Sequence, residues 1–516
     1  MAFAFRRRYD AVVVGGGNGG LTAACQLAAK GRSVLLLEQH NTVGGFSSSF
    51  VRGRFEFEAS LHVLCDLGPA ERPGSVRKMF GELGIEVDWL PVPEAYRVIL
   101  TDKGVDATMP FGVEAYLDAM EARVPGSKKA MRVFLELCGE ISGALDYLGS
   151  LEGKPSVMRL LHDYPNFLKT AAYSVEEIAR ALGLPQEVKD LLYPYWSYLG
   201  IPASRMNMTL YGAMVYLFLT QGGFIPRRRS TEIASAIEAR IRELGGAIER
   251  NALAEKILVE GGKAIGVRTA RGEEIGAGQV ICNCSPTKVY REMIEPASEV
   301  RPELGKWASA RQESVSAVTV YLGLDASAER LGLREYSYLI SRDMDTERIY
   351  ESFRRFGPPQ AMAAVCPNNV IPDCSPQGTS IVTMTALCKS EAWRGVGPSD
   401  YFAAKSQIAR WLIEEFEAAT GSRIRDNVEE VEVAAPATFA RYAAAPQGII
   451  YGYETDSWDS ALPRMMMLDE DELIEGLRFA GGYGAQTIGY NSALCNGRAM
   501  GRLADEDIGA AEEAER

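Results

Sequence analysis

Histidine and cysteine are scarce in this 516-residue chain: three histidines, His40, His62 and His162, and nine cysteines at irregular spacing. The one close cysteine pair, Cys282 and Cys284, is C-x-C, and no His or Cys nearby completes a tetrahedral ligand set, so no metal ligand is assigned and both read as packed strand residues. Unpatterned cysteine suits a reduced, intracellular chain. Arg6, Arg7 and Arg8 are not followed by an apolar segment with a cleavage site, which argues against secretion and for a cytoplasmic location. A basic excess is also lacking. Lys plus Arg number 55 against 68 Asp plus Glu, a net charge of -13, which repels phosphate backbones and excludes nucleic acid as a partner. Nor is there a long apolar run. The longest uncharged stretch, Met206 to Pro226, is broken by Asn207, Thr209, Gln221 and Gly222-Gly223, and reads as a buried or membrane-facing helix rather than a span.

What is present is ordinary globular material: 47% hydrophobic and 24% charged residues, enough to bury a large core. Asp10 to Val14 is a β-branched apolar run ending in five glycines between Gly15 and Gly20; apolar residues then recur at helical spacing through Ala28, and Ser33 to Leu37 is a second apolar strand. A βαβ unit therefore opens the chain. From about Pro69 to Tyr216 helical patterns dominate, including Glu114–Arg123, Lys129–Leu148 and Val175–Leu182. A hairpin turns at Gly261-Gly262, and Gln279 to Asn283 is a further strand. Val315–Leu324, Ala361–Cys366 and Ser380–Cys388 read as strands of a separate sheet, followed by a helix from Tyr401 to Thr420. Glycine turns return from Gly481 to Gly489, before a helix to about Leu503; the acidic stretch from Asp505 to Arg516 reads as a solvated end.

Gly15-x-Gly17-x-x-Gly20 stands where a dinucleotide needs it. The first glycine permits the tight turn, the second lets backbone approach pyrophosphate, the third lets helix and strand pack closely, and the N–H groups opening the helix favour the anion. Eighteen residues beyond Gly20, Glu38 ends the second strand, where a carboxylate accepts hydrogen bonds from a ribose 2′-OH and repels a 2′-phosphate.

With Gly44-Gly45 and the strand Phe55 to Glu58 following, this arrangement resembles the flavin-binding signature of the phytoene desaturase, carotenoid isomerase and amine oxidase superfamily. Gly222 to Pro226 with Gly245-Gly246, Gln279 to Pro286, and Phe479 to Leu503 resemble, in the same order, that family's middle, Asn-x-x-Pro and closing FAD elements. Phe55 to His62, Tyr198 to Pro202 and the helix start Ser230 to Ala234 look most like the retinol saturase and carotenoid isomerase branch, and Phe46 stands where amine oxidases usually have Arg. The resemblance implies an α/β fold: a Rossmann-like FAD-binding domain built from residues 1–68, 222–312 and 425–516, and a discontinuous α+β substrate domain made of a mainly helical region, 69–221, and a sheet with a helix, 313–424. It implies FAD as cofactor, held by Gly15, Gly17, Asn18, Gly19, Gly20, Glu38, Gly44, Gly45, Phe46, Ser47, Ala254, Asn283, Gly481, Gly482, Tyr490 and Asn491.

The activity it implies is saturation, desaturation or isomerisation of a C=C bond in a long apolar, polyene-like substrate, with an unidentified electron donor or acceptor and peripheral contact with a membrane. An amine oxidase, and a prenyl-binding protein resembling Rab GDP-dissociation inhibitors, are the alternatives. Where the family has paired glycines after Pro226, this chain has Arg227, Arg228 and Arg229: a solvated turn, or an anchor in which Arg227 receives an anionic substrate end. An aromatic group from Tyr193 to Tyr216, with Tyr198 and Tyr211, reads as core packing or as the wall of a substrate tunnel. His62 is the first candidate for an acid or base, since an ordinary histidine pKa near 6.5 allows it to hold a proton at neutral pH; tyrosines of the aromatic group, Tyr198 above all, come next.

Overall fold

The computed structural model describes residues 5–150, 155–457, 473–484 and 489–515; of the closing glycine segment, 485–488 lie outside the described residues. Two sheets organise the chain. In the first, the strand Arg7–Val14 lies parallel to Val34–Leu37 on one side and to Glu274–Cys282 on the other. Ala247–Glu249 extends the sheet beyond Val34–Leu37, and the hairpin Ala254–Glu260/Lys263–Thr269 extends it beyond Glu274–Cys282. Leu477–Phe479 takes the remaining length of Glu274–Cys282, also in parallel. Both faces are covered, as continuous apolar strands require: Ala11 and Val13 face one hydrophobic core, Val12 and Val14 the other.

The helix Asn18–Ala29 returns over this sheet between Thr231–Glu243 and the long helix Tyr490–Glu515. It meets the latter glycine to backbone: a side chain on Gly497 would fall on the Gly19 carbonyl, and one on Gly501 would reach 2.8 Å from the Ala23 carbonyl. The acidic stretch from Asp505, read as a solvated end, continues this helix, with residues 510–514 exposed. The helix runs on to Glu515 because its acidic face finds cations: Arg32 pairs with Asp505 (2.6 Å) and Glu512 (2.8 Å), and Arg478 with Asp507 (2.6 Å).

The second sheet has seven strands in the order Val428–Ala434, Ser316–Leu324, Ser380–Cys388, Ala361–Val365, Ser337–Ser341, Tyr96–Leu100 and Val105–Met109. Three of its strands come from outside residues 313–424. Tyr96–Leu100 and Val105–Met109 form a hairpin inside the region read as mainly helical, and the apolar run Tyr-Arg-Val-Ile-Leu joins the sheet because Ser337–Ser341 offers it a parallel partner. Val428–Ala434, placed by its sequence position with the FAD-binding domain, instead forms the other edge, antiparallel to Ser316–Leu324. One face of this sheet packs on the helix Tyr401–Thr420; over the other lies a helical layer that includes Lys128–Gly149 and Met208–Gln221.

The uncharged stretch Met206 to Pro226 belongs to that layer. Asn207 caps its helix, accepting from Thr209 N–H (3.0 Å), and no residue between 206 and 226 is exposed, so the membrane-facing reading of this segment is wrong. Among the described residues no helix is long and apolar enough to cross a membrane.

Candidate active site

The turn after Val14 is forced by close approach. Gly15 has φ +97°, a side chain on Gly17 would stand 2.5 Å from Asn283 Nδ2, and one on Gly20 would fall on the Gly15 carbonyl. Gly17 caps the helix without any side-chain hydrogen bond, and the first helical bond runs from Leu21 N–H to the Gly17 carbonyl (2.9 Å), so the opening N–H groups face the space beyond the turn. Glu38 sits behind it, with Oε2 accepting from Gly16 N–H (2.7 Å) and Oε1 from His40 N–H (2.8 Å). Each oxygen keeps a lone pair for a further donor.

A second glycine turn lies against the first. Gly44 N–H donates to the Gly16 carbonyl (2.7 Å), with Gly44 at φ +121° and Gly45 at φ +59°. Asn283 plugs the middle, its N–H on the Val14 carbonyl (2.8 Å), its own carbonyl against Gly15 and its amide among Gly17, Gly19 and Gly481. Tyr490 donates to the Phe46 carbonyl (2.8 Å) and meets Ser60 Oγ (2.7 Å), tying the helix it begins to this loop.

These turns open on one cavity of about 2080 Å³, which also reaches between the helical layer and the seven-stranded sheet. Drug-sized ligands occupy about 300–1,000 Å³, so there is room for a dinucleotide and a long second molecule together. The residues fit FAD: a glycine cradle that admits no side chains, an uncapped helix N-terminus for pyrophosphate, and a carboxylate at the end of the second strand. Of the sixteen cofactor-binding candidates, fourteen line the cavity and two do not. Gly20 packs against Gly15, and Ser47, wholly buried, donates to Asn18 Oδ1 (2.7 Å), so both support the cradle from behind.

Beyond the cradle the lining changes to side chains. The strand Phe55–Glu58 ends in a buried carboxylate: Glu58 accepts from Ser230 N–H (2.7 Å) and Oγ (2.6 Å), and from the N–H groups of Ser60 (3.2 Å) and Leu61 (3.1 Å). Burial pushes its pKa up. This fan fixes the turn that presents His62 to the cavity, where Nε2 lies 3.3 Å from Thr385 Oγ1, itself 3.1 Å from Thr319 Oγ1. Burial pushes the His62 imidazole down to about 4. This biases the imidazole toward its neutral form.

Tyr198 stands edge-on to His62, with ring centroids 6.2 Å apart, and its Oη is buried near the Ser337 side chain. Burial holds its pKa well above the ordinary tyrosine value, so it stays protonated. Leu210, Met214 and Leu217 recur along one face of Met208–Gln221 and line the cavity. Two substrate candidates fail. Tyr211 points away from the cavity and spends its hydroxyl on the Leu192 carbonyl (2.6 Å). Arg227 is an exposed turn residue paired through Nε with Asp88 (2.6 Å) and does not reach the cavity. Sequence reasoning passed over Thr319, Thr385, Ala361 and Ala363, although their alternation along strands could have marked one face as the cavity floor.

Fold and cradle together define an FAD-dependent oxidoreductase with a second domain closing over the cofactor site. The chain belongs to the flavin containing amine oxidoreductase family, whose model matches residues 19–405. It is 27% identical over 488 residues to all-trans-retinol 13,14-reductase from Danio rerio, covering 88% of this chain and 78% of that protein. It is 23% identical over 509 residues to the chloroplastic prolycopene isomerase of Daucus carota, covering 96% and 81%. A structure of putrescine oxidase with putrescine matches with a TM-score of 0.64 at 13% identity, covering 97% of this chain and 99% of that one, a likeness of fold. The expected fold class, family, cofactor and enzyme class are borne out.

Proposed function

We propose that this protein reduces, desaturates or isomerises a C=C bond of a long apolar, polyene-like substrate held beside FAD. The observation that carries it is one continuous cavity: its glycine cradle passes directly into an arm walled by Leu210, Met214, Leu217 and Phe218, where His62, Thr385 and Thr319 form a small polar group. FAD, when bound, supplies hydride exchange at its ring. The chain's own residues do the rest. The apolar helix face excludes water and aligns the chain; His62, with Thr385, positions it; Tyr198, packed against His62 and kept protonated by burial, is the group assigned to deliver or receive the proton at the carbon next to the one that exchanges hydride.

The relatives named for retinol and prolycopene favour this reading over an amine oxidase, and putrescine oxidase shares the fold at low identity only. An intact glycine cradle with Glu38 speaks against a prenyl-binding protein without working flavin. Anaerobic mixing of the reduced or oxidised holoenzyme with polyenes tests it: substrate-dependent change of the visible flavin spectrum is expected. Peroxide release on a panel of amines, with no response to polyenes, would overturn it.

Contact with a membrane belongs to the same reading, on a different surface from Met206–Pro226. In the helix Val157–Asp163, Val157, Met158 and Leu161 are exposed while Arg159, over the Tyr147 ring at 4.3 Å, lines the cavity. An apolar substrate leaving a bilayer meets the arm there. Met158→Glu should abolish flotation with liposomes; flotation unchanged in that variant would remove the helix from this role.

A further inference from the structure

The floor of the arm is a grid set by strand register. Thr319 lies opposite Thr385, Thr385 opposite Ala363, and Ala363 opposite Leu339, so one row of side chains crosses four strands on the cavity face. At about 4.8 Å per strand this row spans about 14 Å from the threonines under His62 to Leu339. Two residues along, Ala317 opposite Leu387 and Ser341 opposite Ala361 form the next row, also on the cavity. The wall beyond carries Trp196 and Phe353, stacked with centroids 5.9 Å apart and planes 3° from parallel. Thr385 and Leu387 find only alanine on the neighbouring strand's cavity face, at Ala363 and Ala361, between the polar group and this wall.

We propose that Ala363, with Ala361, sets the length of substrate this enzyme accepts. A chain whose reacting bond lies at His62 and Thr385 reaches the Trp196–Phe353 stack, which stands past Leu387 where Lys389 N–H donates to the Phe353 carbonyl (2.8 Å), over positions 363 and 361, which carry no more than a methyl group. A side chain the size of leucine at 363 closes the row one strand beyond Thr385. The inference rests on the reading of the arm as a polyene site.

The test uses the holoenzyme and a series of all-trans polyene alcohols, from retinol upward in length, with affinity read from perturbation of the visible flavin spectrum under anaerobic conditions. Ala363→Leu should keep FAD and bind the shortest member as the wild type does, while losing about tenfold or more on the long members, so the cut-off moves to shorter chains. Phe353→Ala, remote from the cradle, should move the cut-off to longer chains and decides the matter independently if Ala363→Leu folds poorly. A cut-off unmoved in both variants, or an equal loss at every length, overturns the gauge while leaving the proposed reaction standing. A wild-type protein that binds no polyene of any length overturns the proposed reaction and the gauge with it.

Discussion

The two halves of the cavity are made of different material. In the cradle, the contacts are backbone: N–H groups, carbonyls and positive-φ glycines, with Asn283 and Glu38 as the chief side chains. In the arm the contacts are side chains on helix faces and one sheet, and the backbone is already spent on its own hydrogen bonds. A backbone site has little freedom to vary, because a single added carbon strikes a main-chain atom at Gly19, Gly20 and Gly44 and the Asn283 amide at Gly17 and Gly481. A side-chain site can be re-lined by any residue of suitable size, which is how one fold can house amine and polyene chemistry alike.

Gly20→Ala should break the comparison most severely. Its Cβ falls on the Gly15 carbonyl, and neither backbone can yield, so the variant should purify colourless, whereas Met214→Ala in the arm should stay yellow. Flavin content after gel filtration reads both; a yellow Gly20→Ala protein would show the cradle to be as adaptable as the arm.

The arm should have its own signature in acid. The His62 imidazole titrates near 4 in the folded state and near 6.5 unfolded, so the unfolded chain binds the extra proton between these values. Stability should be complete above pH 6.5 and fall as the pH drops to 4, by on the order of 3 kcal/mol. Denaturant midpoints across this window should flatten in His62→Gln; an unchanged slope would mean that His62 is not desolvated.

Tyr198→Phe should keep FAD and slow substrate-dependent reoxidation of pre-reduced flavin by about 10²-fold, the usual scale of general acid catalysis. His62→Gln should slow it far less, since a neutral hydrogen-bonding group remains beside Thr385. Stopped-flow rates with the order reversed would return the proton to the histidine. Glu38→Ala should be the mildest at the cradle, weakening FAD by roughly 1 to 3 kcal/mol, because one charge-assisted acceptor is lost while the glycines remain. Titration of apoprotein with FAD measures it; complete loss would mean that Glu38 holds Gly16 and His40 in place rather than ribose alone.

The same contrast governs what can be read from the residues in a line. Gly15, Gly17, Gly20 and Glu38 announce themselves because no other residue types satisfy the turn, the close approach and the carboxylate at the strand end. The strands Ser316–Leu324 and Ser380–Cys388 were legible from their apolar runs, yet nothing in them tells which face meets the cavity until register sets Thr319 beside Thr385. Tyr96–Leu100 was missed because its partner, Ser337–Ser341, lies some 240 residues away. Tyr211 and Tyr198 looked alike in sequence; the Leu192 carbonyl holds Tyr211 away from the cavity, whereas Tyr198 lines it beside His62. The His62 pKa is a property of what surrounds the ring, which no local pattern records.

Gly497 and Gly501, pressed against Gly19 and Ala23, have a consequence for assembly in time. The first helix of the cradle leaves the ribosome about 470 residues before the helix that covers it, Tyr490–Glu515. Until then Leu21, Ala24 and their neighbours have no cover on that side, and the Gly481 turn that abuts Gly19 is absent. The cofactor therefore cannot guide early folding. It can only lock the cradle once Tyr490–Glu515 has been made, so shortage of FAD should accumulate apoprotein with an open seam between Asn18–Ala29 and Tyr490–Glu515 rather than arrested fragments.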